Sequence, residues 1–330
     1  MSSDPSPLSI ARFPNVPPSG AHYESFYLKA ADPRRRRAVW IRYTVLKRPG
    51  EEARASLWCT IWPEDESPLA TKLTVGASEL RTGEGELIGI GESRMDDGRV
   101  VGRANDARWD LAITAGAPAL SYLPSGWMYR APIPRTKAVS LHPSALCAGE
   151  VELAGQLLRF EDWPAMLGHN WGSEHAEEWV WLHGAGFPEA PDAWLDVTIG
   201  RVRIGRFVLP WIANGALALD GRRHRLGGPG TLRATSVSAV PTACDFVLGG
   251  SGVRIRGRAA AGSEQLVAWP YSDPKGGGHF ATNCSEASLE LEVERPGGPA
   301  LSLRLGAGAA YELGRRERPA GIDVQPFPDP

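Results

Sequence analysis

Gly168-His-Asn-Trp-Gly-Ser-Glu-His-Ala-Glu-Glu-Trp-Val-Trp-Leu-His183 gathers three of the chain's seven histidines and three of its 12 tryptophans. Its last third alternates: Trp179, Trp181 and His183 fall on one face of an extended chain, Val180 and Leu182 on the other. The next run repeats the pattern, with Trp194, Asp196 and Thr198 opposite Leu195, Val197 and Ile199. With Gly184 to Ala193 taken as the connecting loop, the two runs pair as an antiparallel hairpin that sets Trp181 near Asp196 and His183 near Trp194. One face of this hairpin is aliphatic; the other mixes tryptophan with a histidine and a carboxylate. Open solvent does not suit three tryptophans, and a dry core does not suit an aspartate and a histidine without partners. Two readings satisfy both constraints: the wall of a ligand cavity, or an inter-barrel interface in which indole N–H groups and Asp196 satisfy each other.

Period-two runs bounded by Gly, Pro and Asp recur on both sides of this hairpin, among them His22 to Ala30, Ala38 to Lys47, Glu150 to Asp162, Ala216 to Leu226 and Leu301 to Leu313. No stretch combines helical periodicity with convincing caps, and 38 glycines and 28 prolines suit turns between short strands. The expected fold class is all-β. Closing antiparallel meanders into barrels removes their exposed edges, and each half carries about the eight strands that a small up-and-down barrel needs. The expectation is therefore two antiparallel β-barrels side by side: an extended segment over 1–20, one barrel over 21–175 and a second over 176–330. The proline-rich, polar piece from Leu123 to Thr136 is read as a strap across a barrel mouth.

With 36 basic and 38 acidic residues and a net charge of -2, the 330-residue chain has no basic field for nucleic acid. Four dispersed cysteines give neither a disulfide framework nor a zinc spacing, and no H-x-H or H-E-x-x-H pair occurs, so neither metal nor cofactor is expected. The glycines at 276–278 are followed by no Lys-Ser/Thr and no helix, which disfavours nucleotide binding. Neither a signal peptide nor a long apolar run is apparent, which reads as a cytoplasmic protein without stable membrane insertion.

Two further strands supply candidates. In His22-Tyr-Glu-Ser-Phe-Tyr-Leu-Lys29, Tyr23, Ser25 and Tyr27 share one face, while Glu24, Phe26 and Leu28 share the other. A carboxyl among apolar neighbours is either a proton donor with a raised pKa or a carboxylate tied to backbone N–H groups or to an arginine such as Arg42. Near the C-terminus, His279 and Asn283 share a strand face and are either further ligand contacts lining the second barrel or, for His279, a strand-end imidazole hydrogen-bonded at the rim.

Three stretches, in order along nearly the whole chain, resemble a known family. His22-Tyr-Glu-Ser-Phe-Tyr27 is similar to the aromatic-Glu-Trp-Trp-Tyr opening of the lipocalin-like superfamily of carotenoid 1,2-hydratase, tocopherol cyclase and the lipocalin-type Diels-Alderases. Gly168-His-Asn-Trp-Gly172 with Trp179-Val-Trp181 resembles its junction motif, and Gly306 to Gly314 resembles its final strand. The resemblance implies two lipocalin-like barrels and cofactor-free chemistry on polyenes, prenyl chains or terpenoid-like molecules. The chain departs from the family at Ser25-Phe26, where the family has Trp-Trp, and at Gly168, where it has an acid. The expected function is a cyclase, hydratase or isomerase of a hydrophobic small molecule. Glu24 or Asp196 would be the acid and His169 and Asn170 orienting groups; Tyr23, Tyr27, Trp171, Trp179, Trp181, His183, Trp194, His279 and Asn283 would contact the substrate. The alternative is a carrier of lipids or terpenoids that performs no chemistry.

Overall fold

The structure, a computed structural model, describes residues 10–327, so 1–9 of the extended segment and 328–330 lie outside it. Among the described residues helical structure is confined to short 3-10 turns such as Phe13–Asn15 and Gly126–Tyr129; the rest of the regular structure is strand. As expected, the strands form two antiparallel barrels. In each, sequential strands are neighbours round the wall and the first strand pairs with the last. His22–Asp32 pairs with Gln156–Gly172, Ser25 opposite Asn170 and Phe26 opposite His169. Glu178–Phe187 pairs with Leu301–Arg315, and a bridge from Leu226 to Gly250 closes the second ring. The first ring has no such bridge between Leu69–Gly76 and Leu80–Arg81. There Asn105 Nδ2 ties Leu69–Gly76 to the far wall, donating to Thr71 Oγ1 (2.8 Å) and to the Lys72 carbonyl (3.1 Å).

Turn chemistry sets the strand lengths. Ala154-Gly155 and Asp220-Gly221 have positive φ at both residues, the conformation that matches a two-residue turn to the strand twist. They split the runs Glu150 to Asp162 and Ala216 to Leu226, each read from the sequence as one strand, into hairpins. The hairpin Glu178–Phe187 with Ala190–Arg201 differs from expectation. Gly184 to Phe187 continue the strand, through an irregularity at Gly186 (φ 78°), and the turn is only Pro188-Glu189. Trp181 therefore lies opposite Thr198, His183 opposite Asp196 and Ala185 opposite Trp194. The shift is an even number of residues, so the same side chains still share one face.

Because first and last strands are neighbours in both barrels, all four meet along one seam, where Tyr27, Met166, Trp181 and Ala310 pack together. Every residue of His22–Asp32 is buried, one face inside the barrel and the other in the seam. Farther along, Trp40, Trp58 and Trp62 of the first barrel meet Trp269 and Tyr271 of the second. Residues 173–177 link the barrels, and the segment after Ala107–Ala115 crosses from one to the other. Arg223 donates to the carbonyls of Pro118 (2.7 Å) and Ala119 (2.9 Å), and Arg225 to those of Ser121 (3.1 Å) and Tyr122. Residues 118–122 thus form a strap over the seam between the barrels; the strap expected over Leu123 to Thr136 is the segment that follows, whose Tyr129 packs against the core of the first barrel, 5.9 Å from Trp171.

Candidate functional site

Strand alternation divides the sequence candidates into two groups. Glu24, His169 and Trp171 point into the first barrel, packed with its core. Both oxygens of the fully buried Glu24 carboxylate accept from the Arg12 backbone N–H (2.8 and 3.0 Å), and Oε2 also accepts from that of Phe13 (2.7 Å). His169 Nε2 lies 2.8 Å from Oε1 and His22 Nε2 3.1 Å from Oε2. Burial would raise this carboxyl, but the hydrogen bonds from His169 and His22 hold it down at about 2. Glu24 is consequently an anchor for the N-terminal segment, tied to backbone N–H groups, and holds no proton to donate near neutral pH. Arg42 is not its partner: it sits on the opposite face, donates to Ser25 Oγ (2.5 Å) and lies 4.4 Å from the Tyr271 ring centroid. His169 stacks on Phe26 at 3.9 Å and on Trp171 at 4.5 Å, so its ring is fixed from both sides.

The remaining candidates face the seam. Gly168 shows why the chain lacks an acid there: a Cβ would come within 2.3 Å of the Tyr27 ring, which fills that place. Tyr27 meets Trp181 edge-on at 5.4 Å, and Trp181 Nε1 donates to Asp196 Oδ1 at 3.2 Å. The same oxygen accepts from Tyr122 of the strap at 2.5 Å. Asp196 is fully buried and its Oδ2 has no hydrogen-bond partner among the described residues. Burial raises its pKa to about 6, and Tyr122, the nearby buried Ser140 hydroxyl and Trp181 offset this only in part, Ser140 Oγ itself falling outside hydrogen-bond geometry. Trp194 packs with Leu120, Tyr122 and Ala216 under Arg223, whose guanidinium lies 5.1 Å from its ring centroid. His183 is buried, with Nε2 3.0 Å from the Pro143 carbonyl of the first barrel, and burial followed by the nearby Lys29 lowers its pKa to about 3. Asn170, placed in sequence beside His169, faces the seam on the other side of the strand, and its Oδ1 is unpartnered among the described residues.

At the linker end of the seam lies a second polar group. Glu312 accepts from Trp179 Nε1 (2.8 Å) and from Asn283 Nδ2 (3.2 Å). Tyr23 stacks on His175 at 4.0 Å and donates to Thr136 Oγ1 (3.1 Å). His279 lies beside Asp273, Oδ2 to Nδ1 3.2 Å. Sequence reasoning missed Tyr122, Lys29, Asp273 and Glu312. Tyr122 sits in a strap that pairs as strand only over Leu120–Ser121, and no local spacing links Asp273 to His175. Lys29 offered a signal, a lysine sharing the face of Tyr23, Ser25 and Tyr27; it is buried, its ammonium contacts the Gly308 carbonyl, and burial lowers its pKa to about 7.

Fold and site together define a class: paired antiparallel barrels that share an aromatic seam containing buried carboxyls. The lipocalin-like two-barrel proteins have this fold. An AttH-like protein of Nitrosomonas europaea is similar with a TM-score of 0.58 at 15% identity, over 96% of this chain and 100% of that one. CghA in complex with Sch210972 gives 0.61 at 12% over 90% and 88%, and kievitone hydratase of Nectria haematococca gives 0.51 at 12% over 95% of each chain. In sequence, the uncharacterized protein Rv0493c of Mycobacterium tuberculosis is 25% identical over 312 residues, 93% of this chain and 90% of that protein. No protein-family profile matches the chain.

Proposed function

We propose that the seam around Asp196 receives a hydrophobic small molecule, a polyene, prenyl or terpenoid-like chain, and that the Asp196 carboxyl protonates an alkene of that molecule without a cofactor. The observation that carries this reading is a buried carboxyl raised to about 6 among Tyr27, Trp181 and Trp194. A carboxyl with that pKa keeps a useful protonated fraction near neutrality and is a far stronger acid than the neighbouring phenols, whose pKa values burial pushes up. The rings stabilise the developing cation through their π faces, by about 2 kcal/mol for a desolvated contact. Capture of the cation by water, with the excess proton returned to the Asp196 carboxylate, makes the protein a hydratase; capture by a second alkene followed by loss of a proton to that carboxylate, a cyclase; direct loss of a different proton to it, an isomerase. Tyr122 occupies the space beside the carboxyl, so a ligand enters by displacing the strap and taking over the Tyr122 contact. The fold relationship to a protein named as a hydratase and to one solved with a bound small molecule supports a ligand in this architecture.

The test is proton delivery. Incubated in deuterium oxide with a panel of prenyl alcohols and linear polyenes, the protein should put deuterium into the carbon skeleton of at least one member. Asp196→Asn should bind that molecule, read by quenching of tryptophan fluorescence, and incorporate none. Binding without incorporation in the wild type would identify a carrier.

A further inference from the structure

The linker end of the seam holds a cluster that the proposal above does not use. His175 lies in the linker, Asp273 follows the strand Val267–Ser272, and His279 begins the strand Gly278–Glu294. Asp273 Oδ1 accepts from the His175 backbone N–H (3.2 Å) and lies 2.8 Å from His175 Nδ1, while Oδ2 lies 3.2 Å from His279 Nδ1. One nitrogen from each ring and one carboxylate oxygen all fall within 4.8 Å of one another. His279 is fully buried, yet neither of its ring nitrogens attains hydrogen-bond geometry with any described residue. His279 Nδ1 thus meets Asp273 Oδ2 by distance alone and Nε2 has no partner among the described residues, a costly arrangement for a buried imidazole.

Tetrahedral zinc holds nitrogen at about 2.0 to 2.1 Å and oxygen at about 2.0 to 2.2 Å, which puts neighbouring ligand atoms roughly 3.3 Å apart. The two nitrogen-to-oxygen distances, 2.8 and 3.2 Å, lie below that value and all three ligand atoms fall within 4.8 Å of one another, so an ion is admitted once His175 and the carboxylate separate by about 0.5 Å and the two rings close on it. The ring that must stay oriented is held: Tyr23 stacks on His175 with an interplanar angle of 19° and Trp179 lies 5.6 Å from it. Two imidazoles with one carboxylate select a borderline cation such as zinc over magnesium or calcium, which take oxygen ligands. The opposing charge is Arg316, whose Nη1 is 3.6 Å from Asp273 Oδ2; its Nε already donates to Glu177 Oε2 (3.1 Å), and the side chain is 41% exposed, free to swing outward. Arg42, the other guanidinium facing His175, is engaged by Ser25 and Tyr271.

We propose that His175, Asp273 and His279 bind a divalent first-row transition metal, zinc best, and that the ion staples the inter-barrel linker to the second barrel. Spacing rules find ligands that are near in sequence, and they pass over this set because the linker and the second barrel supply it from distant segments.

The test uses the full chain stripped of metal by a chelator. Calorimetric titration with zinc chloride should give one site per chain and raise the unfolding temperature, with magnesium chloride doing neither. Cobalt(II) should give the visible absorption of a low-coordinate nitrogen and oxygen site. Asp273→Asn and His279→Gln should each weaken zinc at least ~tenfold, a loss of about 1.4 kcal/mol. His22→Gln, which removes a nitrogen from the separate Glu24 cluster, should leave zinc affinity unchanged. If Asp273→Asn and His279→Gln fail to fold, His175→Gln in the linker decides by the same zinc titration and cobalt spectrum. Absence of zinc binding by the wild type, or binding that these cluster variants do not weaken, overturns the proposal.

Discussion

Glu24→Gln separates an anchoring carboxylate from a catalytic acid. In the folded protein this carboxyl titrates at about 2, against an ordinary value of 4.5. The difference corresponds to about 3 kcal/mol of stability from preferential ionisation in the folded state. Since the folded pKa lies below the unfolded one, that contribution is complete above about pH 4.5 and is lost as pH falls through about 2. The glutamine variant keeps the shape but not the charge, and its NH2 group meets N–H donors of Arg12, Phe13 or the histidines. Near neutral pH its urea midpoint should fall by about 1 M or more, taking a slope of about 2 to 3 kcal/mol per molar. The gap between variant and wild type should narrow steadily below about pH 4, and amide exchange in residues 10–15 should quicken. A variant as stable as the wild type at neutral pH, or a gap that does not change with acidity, would refute the anchoring role.

Other perturbations address the seam. Gly168→Ala should cost about 1 to 3 kcal/mol by thermal or urea unfolding, because its Cβ collides with Tyr27 at 2.3 Å; a neutral result would mean that Tyr27 moves freely. Arg225→Ala frees the carbonyls of Ser121 and Tyr122, so limited proteolysis should cut between residues 123 and 135 faster than in the wild type, with the barrels intact. Asp196→Asn should stabilise the protein near neutral pH by up to about 3 kcal/mol. The raised folded pKa makes the aspartate's contribution full below about 3.8 and lost as pH rises through about 6, so urea unfolding of wild type and variant should diverge across that window.

The alternation of Trp179, Trp181 and His183 against Val180 and Leu182 made the strand and the odd face legible, and the even shift in register left that face intact. What the sequence left open was which of two burials the face serves, because a residue buried between barrels and one inside a barrel show the same period. Glu24 illustrates the difficulty: it belongs to the barrel interior, and beside His22 and His169 its partners are backbone N–H groups of the N-terminal segment, a kind of tie the sequence allows but does not locate. The proline-rich piece from Leu123 to Thr136 was legible as something other than a central strand, but the strap just before it and the reach of Tyr122 to Asp196 were not, since that contact depends on how the two barrels dock. The His175, Asp273 and His279 cluster was hidden for the same reason.

The protonation of Asp196 can be read directly. With the aspartates labelled with carbon-13 at the carboxyl, and with Asp196→Asn used to assign its signal, the Asp196 resonance should titrate with a midpoint of about 6. Tyr122→Phe should raise the midpoint further, because the Tyr122 hydrogen bond favours the ionised form. A midpoint near 3.8, the ordinary aspartate value, would mean that water reaches the carboxyl, and would contradict both the sealed seam and its proton donor.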